Sequence, residues 1–538
     1  MRIIIIILCA FTCSSLSAQV AKLLKDINPG SDASFEFSLD KSYLEYNGKL
    51  YFSAKNADNG LELWVYDGQD VTLFKDINPG AAGSDVQNLY ILNGKLVFIA
   101  DDGTHGPEWW TSDGTESGTN MIIDLLPGSE GGAINCCNGD IGNSIIVFKD
   151  ELYFNSNIGS FQRRLYKSDG TADGTVEFAR LNGNQRSAEN FTIFQDNLYF
   201  DVVFEGFWKT DGTTDGTIMI REKDHEGNQF DPAYIYNMGD YMIMINGPDW
   251  DLWRSDGTEA GTTLIKEFVN AGAQNNQGEF FINYDGIAYF VAAEISDNGE
   301  LWRSDGTENG TYEVIDLEDN SAFIPIVPRK KVLFKDLLYY IGGKDETGFQ
   351  LYSTDGTETG TQEISMLDDW VNGEIYFQSD LVNTEDFIFF VGGRAFDRQL
   401  WYSDGTTAGT AEIEVNANGE ATPERLFFFD NKLIFFANGD GVGYEPHYVD
   451  VNTLSSTEDD LTAANFNIFP NPATHTIQIS ADFKVDRYSV YDIMGNRIGS
   501  NTFSDKINVA NFDNGIYIIE LEEASTGRKI AEKFTVKK

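Results

Sequence analysis

ELWRSDGTENGT, residues 300–311, is one of nine related stretches along the chain. The others are ELWVYDG (62–68), EWWTSDGTESGT (108–119), RLYKSDGTADGT (164–175), FWKTDGTTDGT (207–217), DLWRSDGTEAGT (251–262), QLYSTDGTETGT (350–361), QLWYSDGTTAGT (399–410) and a worn PHYVDVNT (446–453). The aligned aspartates, Asp67 to Asp450, recur with a mean period of about 48 residues, which suits a four-stranded propeller blade. The unit ending at Asp305 divides into TTLIKEF, GEFFINYDG, IAYFVAAEI and ELWRSDG, with turn residues between. The third pieces of such units, KLYFSA, NLYFDVVF, LLYYIGG, FIFFVGG and LIFFANG, run apolar without alternation. Both faces of those strands should therefore be buried, as in sheets sandwiched between neighbours.

Working outward, the S-D-G-T step has a local cause. Asp hydrogen-bonds its own backbone, Gly supplies positive φ, and Thr re-enters a strand. The second Gly-Thr is expected to repeat the device at a bulge or second corner. Trp64, Trp110, Trp208, Trp253, Trp302 and Trp401 are expected core anchors. The fold predicted is all-β: a propeller-like ring of eight or nine four-stranded units, with a small β-sandwich behind it. LLKDINPG (23–30) is echoed by LFKDINPG (73–80), so closure either joins the end units edge to edge or shares strands between them.

The copies resemble the ELWxxDGT repeat of large exported proteins of the Bacteroidetes type, over residues 20–455. That resemblance implies a propeller-like surface protein and no particular activity.

Composition narrows the partners. Of 538 residues, 38 are Lys or Arg and 85 Asp or Glu, a net charge of −47 that repels nucleic acid and anionic membrane. Arg2, the apolar run Ile3–Phe11 and small residues up to Ala18 read as a secretory signal peptide over residues 1–18. Thr12 ahead of Cys13 disfavours a lipoprotein site. No other stretch reaches transmembrane length, so the mature chain is expected to be exported and soluble. Cys136 and Cys137 are adjacent and cannot staple distant parts of a fold. They read as a loop feature in preference to a redox pair.

The ring is assigned residues 19–455, an acidic linker 456–463 and a tail 464–538. The tail carries no net charge, whereas residues 19–463 carry −48. Its short strands suggest an antiparallel sandwich. Phe469-Pro470-Asn471-Pro472, Tyr491-Asp492 with Gly495 and Arg497, Gly515-Ile516-Tyr517, Lys533-Phe534 and Lys537-Lys538 closely resemble the C-terminal sorting domain of type IX secretion cargo. The resemblance implies export by the general secretory route and then the type IX translocon, removal of the tail, and a mature protein on the outer surface or released.

No catalytic site is assigned. His105, His225, His447 and His475 make no zinc spacing, and GxSxG, P-loop and GxGxxG motifs are absent. Loops ahead of the Leu-Trp strands cluster Asp, Asn and Gly; Asp58, Asp101, Asp102, Asp297 and Asp440 are candidate Ca²⁺ ligands there. The same residues are ordinary hairpin-turn residues, and the turn reading is preferred. The function expected is a secreted or surface-displayed binding or structural module contacting protein or glycan through loops. The alternative is a glycoside hydrolase or lyase using carboxylates near the channel. The main departures from the repeat, 128–144 and 319–332, offer no acid pair. The one basic run in the ring, Arg329-Lys330-Lys331, reads as a solvated turn.

Overall fold

The computed structural model describes residues 19–30, 33–34, 43–133, 144–159, 163–178, 187–247, 250–268, 270–271, 281–293, 300–315, 331–344, 348–364, 381–394, 397–417, 419–439, 441–454, 466–481, 484–492, 497–512, 514–523 and 529–538. Contacts divide the chain into two compact units, residues 1–455 and 456–538. Apart from one 3₁₀ turn at Val451–Thr453, the described elements are strands.

Among the described residues, the first unit is a succession of nine sheets whose strands pair antiparallel apart from one short parallel addition. The first sheet holds Tyr43–Tyr46, Lys49–Asn56, Gly60–Tyr66 and Val71–Lys75 in that order; the second holds Gln87–Leu92, Lys95–Asp101, Pro107–Ser112 and Asn120–Met121. The second strand of each sheet is buried on both faces, as its unbroken apolar run demands; in Lys95–Asp101 the five central residues are all buried. Each sheet packs on the next through a cluster of its own. Trp109 of the second sheet meets Phe154 of the third at 5.2 Å. The series closes, because Phe52 and Tyr66 of the first sheet pack against Phe436 and Phe429 of the ninth, both at 5.8 Å. First strands of successive sheets also approach one another, so they form the inner wall.

The unit frame differs from the sequence division. Thr263–Lys266, read as the opening strand of the unit ending at Asp305, pairs with Asp251–Ser255 as the fourth strand of the preceding sheet. The Asp-Gly-Thr corner is a hairpin, and a hairpin returns its strand to the sheet it left. The same shift explains closure by shared strands. Lys22–Leu23 is the fourth strand of the ninth sheet, pairing with Tyr448 and His447, while Gln19–Val20 adds in parallel to Thr410–Glu414 of the eighth.

The corner itself is a closed hydrogen-bond circuit. In residues 255–262 the Asp256 Oδ1 accepts from the backbone N–H of Thr258 (2.9 Å) and from its hydroxyl (2.7 Å). Thr258 Oγ1 then accepts from the Gly261 N–H (3.0 Å), and the Ser255 and Thr262 hydroxyls meet at 2.8 Å. The pattern recurs from Ser112, Ser168, Thr210, Ser304, Thr354 and Ser403. The first glycine, Gly257, sits at φ +86°, and a Cβ there would also lie 2.1 Å from the Tyr199 hydroxyl of the previous sheet. The second glycine is not the second positive-φ turn that was expected. A Cβ on Gly261 would lie 2.0 Å from Asp256 Oδ1, so Gly is required for close approach to the carboxylate. The corner therefore does more than punctuate, because its first glycine also seats the neighbouring sheet.

Of the expected tryptophan anchors, Trp64, Trp110, Trp208, Trp253 and Trp302 are buried. Trp401 is half-buried, stacked at 6.4 Å on Phe390.

The second unit stacks two sheets. One joins Phe466–Phe469, Thr476–Ala481 and Lys506–Asn508; the other runs Arg497–Thr502, Val485–Asp492, Gly515–Glu523 and Lys529–Val536 in that order. Ile477, Ile479, Val490, Ile507, Ile519, Leu521 and Phe534 fill the space between them. This is the small sandwich expected of the tail.

Candidate functional site

Antiparallel order places the turn between the second and third strands at the same end of every sheet as the link to the next sheet. That end is the loop face; the Asp-Gly-Thr corners occupy the other. Corner carboxylates such as Asp113, Asp169, Asp211, Asp256 and Asp355 are held below the ordinary aspartate range, chiefly by the hydroxyl of the following Thr.

The loop face is anchored by buried side chains that the sequence reading passed over. The acid that opens the Glu-Leu-Trp step turns inward and clasps the loop leaving the fourth strand. Glu62 accepts from the N–H groups of Ile77 and Asn78, both at 3.0 Å, and from the Ser84 hydroxyl at 2.6 Å. Glu108 accepts from Leu125, Leu126 and Gly132 through one oxygen, while its other oxygen is buried without a hydrogen-bond partner among the described residues. Glu445 accepts from Ile27 and Asn28, tying the N-terminal segment to the last sheet. In the eighth sheet Gln399 replaces the acid, accepting from Val415 and Asn416 and donating to the carbonyls of Asn416 and Gly419. A signal for this role existed in the repeated acid before Leu-Trp, but it was hidden among 85 acidic residues.

Burial raises the carboxyls of Glu62, Glu108 and Glu445, and carries Glu108 to about 7 against the pull of its three backbone donors. The folded chain then holds a proton that an unfolded glutamate releases near 4.5. The Glu108 contribution to stability is therefore complete below the unfolded value and is lost as pH rises through about 7. Thermal unfolding at pH 5 and pH 8 is expected to show a lower Tm at pH 8, and Glu108→Gln a smaller difference. An unchanged difference in the variant would contradict this assignment. The corner aspartates act in a separate window, since their lowered values favour the folded state above about pH 4.

One cluster departs from the repeat. Glu189 and Asp201 are cross-strand partners in the fourth sheet, and Asp231 precedes the first strand of the fifth. Asp201 is 2% exposed. Burial pushes its carboxyl well above the ordinary aspartate range, and a hydrogen bond to Asp231 and the charges of Asp231 and Glu189 push it the same way.

An open cleft of about 520 Å³ lies between the outer strands of the fourth and fifth sheets, lined by Arg221, His225, Trp253, Glu259, Thr262 and Thr263 among others. Arg221 lies 4.8 Å over the Trp253 ring and donates to the Thr262 carbonyl at 3.2 Å. The guanidinium is thus largely engaged in holding the two sheets together.

Of the candidate calcium ligands, Asp58, Asp101 and Asp102 fall among the described residues and take part in local turn bonds. Asp101 Oδ1 accepts from the Gly103 N–H, and Asp102 Oδ1 from Thr104 and His105, which are turn bonds. Asp102 also pairs with the His105 ring at 2.8 Å. The Asp58 N–H bonds to Asn56 in the first sheet's turn. Asp297 and Asp440 lie outside the described residues, as do Cys136, Cys137, Arg329 and Lys330. Among the described residues no three acidic, His or Cys side chains converge as a metal site.

In the tail the motif residues are brought to neighbouring positions. Tyr517 packs between Phe512 at 5.0 Å and Phe534 at 5.7 Å. Tyr491 and Asp492 pair with Ile518 and Tyr517, and Gly515 pairs with Val536. Pro470 and Pro472 flank Asn471, whose side chain bonds to the backbone of Lys533 and Thr535. Lys533 and Lys537 are exposed, and Gly495 lies outside the described residues.

Residues 467–537 match the family described as the secretion system C-terminal sorting domain. The tail is therefore a secretion sorting domain, which supports sorting by the type IX machinery and directs the chain to the outside or the cell surface. No described helix is long and apolar enough to cross a membrane. No curated protein sequence matches this one. Among solved structures, the computationally designed Ika8 protein is 13% identical, covering 68% of this chain and 96% of its own, with a TM-score of 0.37. PorZ, a surface component of the type IX secretion system of Porphyromonas gingivalis, is 11% identical over 92% of this chain and 75% of its own, with a TM-score of 0.30. The extracellular domain of a putative hybrid two-component system from B. thetaiotaomicron is 11% identical over 95% and 76%, with a TM-score of 0.32. At these scores the fold rests on the strands and packing described above.

Proposed function

We propose that the chain is cargo of the type IX system and that its ring works at the cell surface as a binding or structural module, contacting a protein or glycan through the loop face. The observation that carries the reading is the sorting domain over residues 467–537. The architecture supports the binding role: successive sheets deliver their longer links to one end, where buried acids such as Glu62 and Glu108 fix the links to a rigid scaffold. Likeness of the Asp-Gly-Thr copies to the ELWxxDGT repeat of exported proteins agrees with a surface role. An enzymatic reading would draw on the Asp201–Asp231 carboxyl pair, and the burial of Asp201 works against it.

The test is to incubate purified residues 19–455 with arrayed glycans and surface-protein extracts, with calcium and then with chelator, analysing polysaccharides for cleavage products. Binding without products supports the module, and loss of binding in chelator would add a calcium requirement. Defined products would replace this reading with a carbohydrate-active enzyme.

A further inference from the structure

Lys529–Val536, the last strand, lies at the edge of its sheet, with Gly515–Glu523 as its neighbour on the inner side. An edge strand ordinarily presents a row of unpaired backbone groups on which another chain can add a strand. Here that row is covered near its end. The Asn471 side chain accepts from the Thr535 N–H at 2.9 Å and donates to the Lys533 carbonyl at 3.4 Å, so one carboxamide stands in for a strand residue. The chain two residues on continues the cover: the Ala473 N–H donates to the Thr535 carbonyl at 2.7 Å, and the Lys537 N–H donates to the Ala473 carbonyl at 2.8 Å. Ala473 and Val536 form a parallel bridge and are both buried. Pro470 and Pro472, lacking N–H groups, offer no donor of their own for further pairing on that side.

We propose that Pro470–Ala473 is a releasable strap on the edge of the terminal strand, with Asn471 as its latch. Closed, it keeps the sorting domain from pairing edge to edge with other chains. Released, it bares four backbone groups, from the Lys533 carbonyl to the Lys537 N–H, as a docking edge for an extended strand of a protein partner. Asn471 is a positioning residue in this scheme, because it acts through the strand it covers. The second arm of the test below rests on the export reading; the first does not.

The first arm is amide hydrogen exchange on the full chain. Asn471→Ala is expected to speed exchange at Thr535 and Lys537 about tenfold while Ile519, in the core, stays protected. Unchanged exchange at both amides would overturn the latch. If Ile519 also loses protection, Asn471→Leu, which keeps the side-chain shape and loses both the acceptor and the donor, is read in its place with the same criterion. The second arm pins the strap with a disulfide in an Ala473→Cys, Val536→Cys chain expressed in a host with type IX secretion. Retention inside the oxidised cell and export after reduction support release. Normal export of the oxidised chain would overturn release while leaving the sorting assignment in place. Loss of export in both states would show damage by the cysteines themselves, and amide exchange then decides.

Discussion

Trp253→Ala is expected to lower the stability of the ring by about 3–5 kcal/mol, the usual cost of emptying a buried aromatic site. Trp253 is 1% exposed. It meets Phe230 edge to face at 5.0 Å and carries the Arg221 guanidinium 4.8 Å above its ring. Truncation would leave a cavity at the junction of the fourth and fifth sheets and remove the aromatic support of an arginine that bridges them. Contacts from two sheets hold the walls apart, so the site has little freedom to collapse. Trp401→Ala is the internal comparison, with a smaller loss because that side chain is already half-buried. Urea unfolding of residues 19–455 checks both. Equal midpoints for Trp253→Ala and the parent would remove the tryptophans from their anchoring role.

The second large effect concerns closure. Removing Gln19–Leu23 deletes the strand that completes the ninth sheet and the parallel addition to the eighth. It leaves the backbone edge at His447–Tyr448 open and detaches the lead-in to Ile27 and Asn28, whose N–H groups Glu445 receives. An open edge invites pairing between copies. A chain beginning at Leu24 should therefore unfold at clearly lower urea and run partly as dimers and larger species by light scattering. A monomer with the parent midpoint would mean that packing of Phe52 and Tyr66 on the ninth sheet closes the ring without the shared strand.

Much of this architecture was legible because it is repeated. An apolar run such as LIFFANG has few ways to be buried on both faces, and the spaced copies of one corner pointed to eight or nine four-stranded units. The strand frame was less legible, since TTLIKEF carries no mark of which sheet it joins until the corner is known to be a hairpin. Gly261 looked like a turn glycine because sequence does not show that a carboxylate lies against its Cα. The clasping role of Glu62, Glu108 and Glu445 was hidden for a related reason: a glutamate beside a loop reads as solvated charge, and its inward turn is set by backbone donors arriving from residues far along the chain. In the tail the motif residues were legible as a signal. What joins Asn471 to Lys533 and Thr535 is tertiary pairing, which no spacing reveals.

The most direct test of the account is where the chain goes when its tail is removed. In a host with type IX secretion, the full chain is predicted to reach the cell surface or medium, and a chain ending at Ser455 to accumulate inside the outer membrane. Fusing residues 456–538 to an unrelated periplasmic protein should carry that protein out. Export of the tailless chain at the level of the full one would contradict the account.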